Sequence, residues 1–207
     1  MGWWTERILP GVLDKQLSQP MITAARARVC AGLRGEVVEI GFGSGLNVPH
    51  YPRAVTTVRA IEPSARAWEL AAQRVAASRV PITLGGLDGQ QIDAQSGSAD
   101  AVLLTFTLCT IPDAASALSE MRRVLRPGGT VHLLEHGRSP DARVAAWQRR
   151  LGSVQYRCAG GCHLDREIDR LIQDAGFTID ELTTEYLSGP ALSRPFTYTY
   201  LGVASVS

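Results

Sequence analysis

Residues 36–47 constrain the fold more than any other stretch of this chain. A short apolar run, 37–40, is typical of a buried strand. Gly41, Gly43 and Gly45 follow it at alternate positions. Because glycine has no Cβ, this spacing lets the backbone turn sharply and lets a ligand lie against it. The segment therefore predicts a strand followed by a ligand-binding turn.

An acidic residue ends the next apolar run. Residues 55–61 read as a second strand, and Glu62 stands at its tip. An acid on the strand beside a glycine-rich turn is placed to accept hydrogen bonds from both hydroxyls of a ribose. Turn and acid together indicate a cofactor that carries a nucleoside, and a dinucleotide is one alternative.

Strand and helix patterns alternate along most of the chain. Two helical patterns, 11–17 and 21–33, come first. We predict the strands at 36–41, 56–62, 80–85, 99–105 and 130–135, and the intervening helices near 64–78, 113–125 and 139–153. This alternation favours a parallel sheet covered on both faces, with ligands at the carboxyl ends of its strands.

The last third has a different pattern. A helix is predicted at 165–175, with Gly176 at its C-cap, and two β-rich runs follow at 177–187 and 196–205. Consecutive strands without a helix between them pair antiparallel. The predicted class is α/β: a doubly wound, Rossmann-like, seven-stranded sheet, mostly parallel with a C-terminal antiparallel strand, and helices on both faces.

Length, charge and composition limit the kinds of partner and compartment that the sequence fits. At 207 residues the chain predicts a single domain, and its net charge of +1 gives no electrostatic case for nucleic acid. No apolar run approaches the ~20 residues needed to span a bilayer. Four cysteines without a signal peptide favour a reducing cytoplasm and free thiols. We expect a cytoplasmic protein, a monomer or weak homodimer, without a transmembrane segment.

Several motifs occur together in one order and spacing. They are Ile-Glu-Pro-Ser (61–64), Leu-Asp-Gly-Gln-Gln-Ile (87–92), Ser-Ala-Asp (98–100) and Arg-Arg-Val-Leu-Arg-Pro-Gly-Gly (122–129). With the glycine turn, they resemble the class I S-adenosylmethionine-dependent methyltransferases, and specifically the methyltransferase type 11 domain. The resemblance covers about 35–137.

A narrower likeness is carried by Tyr51-Pro52, Thr107-Leu108-Cys109-Thr110, Glu135-His136, the Gly161–Glu167 segment and Arg194-Pro195. This set is most similar to the methyltransferase-like alkyl thiol methyltransferases, which cap lipophilic thiols. It also resembles the bacterial phospholipid N-methyltransferases.

We divide the chain into an N-terminal helical cap (1–34), a cofactor-binding core (35–137), and acceptor-side helices with a closing hairpin (138–207).

The resemblance implies a cofactor, S-adenosyl-L-methionine, released as S-adenosyl-L-homocysteine. The glycines would admit its methionine carboxylate, Glu39 and Asn47 would hold the amino-acid tail, and Glu62 would bind the ribose. The full set of implied cofactor residues is Glu39, Gly41, Gly43, Gly45, Asn47, Glu62, Pro63, Asp88, Gly89, Thr105 and Thr107. Asp88 would accept from the adenine amino group. Asp88 as a helix N-cap and Glu39 as a polar strand end are the alternatives.

Whether a general base is needed depends on the acceptor. A thiol of pKa ~8.5 already supplies some thiolate near neutrality, whereas a phenol or protonated amine needs a base. His136, directly after the fifth strand, is the preferred candidate; His163, Tyr156 and Asp165 are others. A structural role for His136 at the strand end is the alternative.

Additions around the core are expected to bind the acceptor. The candidates are Trp3, Trp4, Tyr156, Cys162 and His163. The paired tryptophans fit either a lid over an apolar acceptor or a helix docked on the sheet. A metal site is not expected, because adjacent Cys162 and His163 do not easily share one tetrahedral ion.

These observations predict methyl transfer to a small lipophilic acceptor, with a thiol favoured. N-methylation of a phospholipid amine, or O- or N-methylation of another small metabolite, is the alternative. A cofactor-binding regulatory protein without catalysis is a third hypothesis.

Overall fold

The protein is a three-layer α/β structure built on one seven-stranded sheet. The computed structural model describes residues 2–187 and 189–206. The strand order is β3-β2-β1-β4-β5-β7-β6. Strands β1 to β5 pair in parallel, and β7 pairs antiparallel with both β5 and β6. The predicted fold class, including the antiparallel C-terminal strand, is confirmed.

The strands are β1 Gly35–Ile40, β2 Val55–Ile61, β3 Ile82–Gly86, β4 Ala99–Thr105, β5 Leu125–His136, β6 Phe177–Tyr186 and β7 Tyr198–Val206. The helices are α1 Leu9–Leu17, α2 Pro20–Cys30, α3 Ala65–Ala76, α4 Ala114–Val124, α5 Ala142–Cys158, α6 Ile168–Asp174 and α7 Arg194–Thr197. A π-helical turn, Trp4–Ile8, leads into α1.

Local capping explains where the crossover helices begin. Ser64, Asp113 and Asp141 each accept a hydrogen bond from a backbone N–H in the first turn, at the starts of α3, α4 and α5. Such caps satisfy donors that have no partner within the helix. Helix α5 therefore starts at Ala142 rather than at the predicted 139.

Two apolar layers hold the sheet. On one face, strand residues pack with Leu118 and Met121 of α4 and Ile168 and Ile172 of α6. On the other, Val29 of α2 packs with β1, β2 and β4. Burial of such layers is the main stabilising contribution to folding. Strands β1 and β4 are central and covered on both sides, so their carboxyl ends are held rigidly.

Several predicted boundaries differ from the structure by a few residues, and those of β5 and β7 have a visible structural cause. Strand β5 starts at Leu125, because the 125–129 turn stays paired to β4 across a register shift between Ala99 and Ala101. Strand β7 starts at Tyr198, because Arg194–Thr197 forms a helical turn. Among the described residues, no helix combines the length and apolarity that a bilayer span requires.

Candidate active site

The glycine turn and Glu62 meet at the carboxyl edge of the sheet. All three glycines have positive φ: +71° at Gly41, +59° at Gly43 and +78° at Gly45. The Gly43 N–H donates to Glu62 Oε2 at 2.6 Å, and the Ser64 N–H donates to Oε1 at 2.8 Å. A carboxylate has about four lone-pair positions, so Glu62 keeps two for a ligand. The predicted acid thus faces the predicted turn.

A buried polar network lies behind the turn. Asn47 Nδ2 donates to Glu39 Oε1 at 2.9 Å and to Thr105 Oγ1 at 3.0 Å. The Tyr51 hydroxyl donates to the other Glu39 oxygen. Arg26, from α2, donates through Nη1 to Asn47 Oδ1 and to Thr105 Oγ1, both at 2.9 Å. Three separate elements and the glycine turn therefore meet at Asn47.

The charges in this network are deeply buried. Glu39 is 0% exposed and Arg26 is 4% exposed. Burial raises the pKa of Glu39 to about 7, against the hydrogen bonds from Tyr51 and Asn47 and the charge of Arg26. Burial also lowers the pKa of Arg26, an effect that Glu39 opposes. In both groups burial disfavours the charged form more than the neighbouring groups favour it, and perturbed pKa values of this kind cluster at functional sites.

The loop after β3 carries Asp88 and Gly89. Asp88 is exposed, and its Oδ1 accepts from the Gln90 N–H at 2.8 Å. No helix follows, so Asp88 caps a turn, and the alternative of a helix N-cap is wrong. A Cβ at Gly89 would lie 2.6 Å from Ile40 Cγ2. Glycine therefore lets this loop close onto the end of β1, while Pro63 lies in the bend after Glu62.

The loop after β4 is held by an acid that the sequence analysis did not single out for a role. Glu135 is 0% exposed and accepts from the Thr107 N–H at 2.8 Å and the Cys109 N–H at 3.2 Å. Burial raises the pKa of Glu135 to about 7, opposed by these backbone donors. The loop between Thr105 and Cys109 also includes Phe106, which has a φ of +56°. The Glu135 contacts keep this loop in one conformation.

The His136 side chain is buried and does not face solvent. Its Nε2 lies 3.2 Å from the Pro195 carbonyl oxygen, and its buried Nδ1 has no hydrogen-bond partner. The sulfurs of Cys109 and Cys162 lie 3.7 Å apart. The pKa of Cys162 is lowered to about 5, first by the Cys109 thiol and then by nearby His136, while that of Cys109 is raised. The two neighbouring thiols of Cys109 and Cys162 therefore lie beside His136.

The N-terminal helices contact both sides of this edge. Asp14 Oδ1 of α1 accepts from Ser44 Oγ at 2.7 Å and from Arg74 Nη1 at 2.9 Å, so α1 is tied to the glycine turn. Trp4 Nε1 donates to the Cys158 carbonyl at 2.9 Å, at the end of α5. The cap thus connects the glycine turn to the acceptor-side segment.

The predicted acceptor residues are only partly brought together. The Tyr156 ring meets the His163 ring edge-on, with centroids 5.1 Å apart, and the Gly161 N–H donates to the Tyr156 carbonyl. Cys162 is buried, whereas Trp3 is 67% exposed. Within 2–187 and 189–206, no three His, Cys, Asp or Glu residues are grouped as a metal site would require.

The site fits a nucleoside-bearing cofactor with a charged tail. A Cβ built on Gly43 meets only the Gly41 carbonyl oxygen, at 3.9 Å, so the space in front of the turn is open. Glu62 borders that space with spare acceptor capacity, and the Arg26 guanidinium is incompletely bonded behind it. Fold and site together define an α/β protein of the doubly wound class that binds a nucleoside cofactor at its switch point.

Comparison with known proteins defines the family. Residues 38–133 match the model of a methyltransferase domain. Human thiol S-methyltransferase TMT1A is 29% identical over 188 residues, which are 82% of this chain and 72% of that protein. Phosphatidylethanolamine N-methyltransferase of Cereibacter sphaeroides is 29% identical, over 72% of this chain and 73% of that protein. Human thiol S-methyltransferase TMT1B is 30% identical over 71% of this chain, which spans only 62% of that protein.

The fold agrees with these matches. A crystal structure of an S-adenosylmethionine-dependent methyltransferase from Thermotoga maritima, described as a possible histamine N-methyltransferase, superposes with a TM-score of 0.70. It is 18% identical and covers 100% of both chains. The chain belongs to the class I S-adenosylmethionine-dependent methyltransferases, and S-adenosylmethionine is its cofactor.

Proposed function

We propose that this enzyme transfers the methyl group of S-adenosylmethionine to the sulfur of a small lipophilic thiol. The bound cofactor supplies an electrophilic methyl on a sulfonium. The chain would supply alignment and a site from which water is excluded, because a near-attack geometry is worth ~7–11 kcal/mol of the barrier. The names of the thiol S-methyltransferase relatives support this acceptor class.

One structural observation favours sulfur over nitrogen or oxygen. Both acid–base groups at the end of β5 are already bonded to backbone: Glu135 to two N–H groups and His136 to the Pro195 carbonyl. A protonated amine or a phenol needs a base at the reacting atom, whereas a thiol near neutrality needs little help. We therefore assign His136 a structural role in thiol transfer, and general-base catalysis only for a less acidic acceptor.

The cofactor residues are proposed from their positions. Glu62 would accept from the ribose hydroxyls, Asp88 from the adenine amino group, and the Gly89 N–H would donate to the ring. The glycine turn, Glu39 and Asn47 would surround the amino-acid tail. Thr105 and Thr107 would flank the reacting sulfur. The remaining predicted position, Pro63, would direct the chain from Glu62 into α3.

The apolar acceptor would enter from the side of α5. Trp4 and Tyr156 are 43% and 50% exposed, and Trp4 donates to the Cys158 carbonyl at the end of α5 that carries Tyr156. Exposed aromatic groups of this kind are typical of surfaces that bind an apolar ligand. Trp3, Cys162 and His163 are proposed to complete this wall.

The alternative, N-methylation of a phospholipid amine, is supported by the name of the Cereibacter relative. We propose to incubate the enzyme with S-adenosylmethionine and hexanethiol, hexylamine, hexanol or phosphatidylethanolamine vesicles, and to measure S-adenosylhomocysteine. We expect the thiol to react at least 100-fold faster than the amine at pH 7.5. Faster turnover on the vesicles would contradict the thiol assignment, and cofactor binding without turnover on any acceptor would favour a regulatory protein.

A further inference from the structure

Arg26 is the least explained charge in the protein. Its side chain, on α2, is 4% exposed, and only Nη1 is bonded, to Asn47 Oδ1 and Thr105 Oγ1. Its Nε is buried without a partner, and no hydrogen bond from Nη2 is made within the described residues. Both bonded acceptors are neutral. A buried guanidinium with so few partners leaves a large desolvation cost uncompensated.

Glu39, the acid whose charge acts most strongly on Arg26, does not hydrogen-bond to it within the described residues. Glu39 binds the opposite end of the same Asn47 side chain: Asn47 Nδ2 donates to Glu39 Oε1, while Asn47 Oδ1 accepts from Arg26. The Tyr51 hydroxyl occupies the second Glu39 oxygen. The amide of Asn47 therefore separates one buried positive charge from one buried negative charge, beside an open glycine turn. A pair that neutralised itself would instead be in direct contact.

We infer that Arg26 binds the methionine carboxylate of the cofactor, so that the Arg26–Asn47–Glu39 row distinguishes S-adenosylmethionine from analogues without that carboxylate. This inference rests on the cofactor and not on the acceptor. The tail of the cofactor is a zwitterion, and the two separated charges are its complement: the ammonium on the Glu39 side, the carboxylate on the Arg26 side. A guanidinium is the side chain best suited to bind a carboxylate with two parallel hydrogen bonds.

A purely structural role makes a different prediction. Arg26 lies 5.6 Å from the centroid of the Phe106 ring and connects α2 to β4 through Thr105. If that were its only purpose, removing it would weaken every adenosyl ligand equally, because the whole site would loosen. The two roles are therefore separated by the effect of the substitution on adenosyl ligands with and without the carboxylate.

The experiment is calorimetric titration of the full chain with three ligands. S-adenosylhomocysteine carries the whole zwitterion, decarboxylated S-adenosylmethionine keeps the ammonium alone, and 5′-methylthioadenosine has neither. We expect Arg26→Gln to weaken S-adenosylhomocysteine 20- to 100-fold and to change the other two by less than 3-fold. Arg28→Gln, on the same helix and paired only with exposed Glu185, is the matched control and should change none of them.

Equal weakening of all three ligands by Arg26→Gln, or no weakening, would overturn the inference. If Arg26→Gln does not fold, Arg26→Lys, which keeps a positive charge but lacks the planar fork of donors, is titrated with the same three ligands. A loss of affinity confined to S-adenosylhomocysteine supports the assignment, and equal losses for all three ligands overturn it. Binding of decarboxylated S-adenosylmethionine by the unsubstituted protein as tightly as S-adenosylmethionine also overturns it. Because no acceptor is added, a wrong thiol assignment would leave these titrations unchanged, whereas failure of the inference would leave thiol turnover unchanged.

Discussion

Glu62 illustrates how one carboxylate serves both the free and the bound protein. It accepts the Gly43 and Ser64 N–H groups and is 7% exposed. These bonds hold the glycine turn against β2 before any ligand arrives. The same carboxylate has lone pairs left for the two ribose hydroxyls that we propose it binds, so the turn would be preorganised for a nucleoside.

Replacing Glu62 with Gln should weaken every adenosyl ligand about 10- to 100-fold, because two charge-assisted hydrogen bonds are worth ~1.5–3 kcal/mol each and Gln retains part of them. The measurement is calorimetric titration with S-adenosylhomocysteine and 5′-methylthioadenosine. Glu69→Gln, an exposed acid on α3 paired only with Arg66, is the control. Unchanged affinity for both ligands would show that Glu62 does not bind the ribose.

The thiols of Cys109 and Cys162 should differ in reactivity. Since the pKa of Cys162 is lowered to about 5, its alkylation by iodoacetamide should lose rate only below about pH 5, whereas Cys109, whose pKa is raised, should react slowly at neutral pH. Cys109→Ala removes the neighbouring thiol that lowers the pKa of Cys162 and should cut alkylation of Cys162 at pH 6.5 at least 10-fold. Mass spectrometry of each peptide measures both rates. A Cys162 rate that falls steadily between pH 8 and pH 6 would contradict the assigned shift.

At the scale of elements, the N-terminal helices contact the proposed cofactor site. Helix α1 reaches the glycine turn through Asp14, and α2 reaches Asn47 through Arg26. The Trp4 contact with the end of α5 joins the same cap to the opposite wall. The cap was expected to be either a lid or a docked helix; these contacts show docked helices, and a lid over the acceptor stays a prediction.

Breaking the link between α1 and the turn should affect binding more than stability. Asp14→Ala removes the acceptor shared by Ser44 and Arg74, a partly exposed contact worth about 1 kcal/mol or less to folding. We expect S-adenosylhomocysteine to bind 3- to 10-fold more weakly, because the turn becomes more mobile. Lys15→Ala, at the exposed neighbouring position, is the control. If Asp14→Ala lowers the thermal midpoint strongly but leaves affinity intact, the link is structural only.

The order of elements could be predicted because each strand and helix has a local signature. The hydrophobic period and the glycine turn lie within short windows, so β1, its turn and Glu62 were located from sequence. Boundaries that are set by tertiary contacts could not be predicted from short windows. The turn at 125–129, for example, belongs to β5 because β4 pairs with it.

The interior of the site was harder to predict for the same reason. Arg26 lies 21 residues from Asn47 and 79 from Thr105, in a helix whose one other charged residue, Arg28, faces solvent. The only sequence signal was a basic residue in a stretch of small apolar ones, which is common. Glu135 was visible at the end of β5, but its two backbone partners depend on how the loop after β4 folds.

For the whole molecule, stability should fall as pH rises from about 4.5 to 7. Glu39 and Glu135 each have a folded pKa raised to about 7, so the folded state holds protons that the unfolded state releases. Each carboxyl can remove up to about 3 kcal/mol of stability across that window, at ~1.4 kcal/mol for each pKa unit. The lowered pKa of Cys162 acts in the opposite direction above about pH 5 and offsets about one of the two carboxyls there, so the net change is still a loss. Urea unfolding of the free protein at pH 5 and at pH 7 measures the difference.

The variant Glu135→Gln should make stability depend less steeply on pH. It should also destabilise the protein at both pH values by about 1–3 kcal/mol, because one of the two loop N–H groups then faces the side-chain NH2 group, which cannot accept a hydrogen bond. The exposed pair of Arg170 and Glu167 offers a control, since Arg170→Gln should leave the slope unchanged. A slope that is the same with and without Glu135 would show that its carboxyl is ionised throughout.

The position of β7 has a consequence for how the chain is made. It lies between β5 and β6, although β6 precedes it along the chain. While the polypeptide is still emerging from a ribosome, β6 therefore lacks the strand with which it pairs. Its backbone N–H and C=O groups stay unpaired until β7 has been made. The sheet can be completed only when the segment 198–206 inserts between β5 and β6. Nascent chains that have not yet reached this segment are therefore candidates for binding by chaperones.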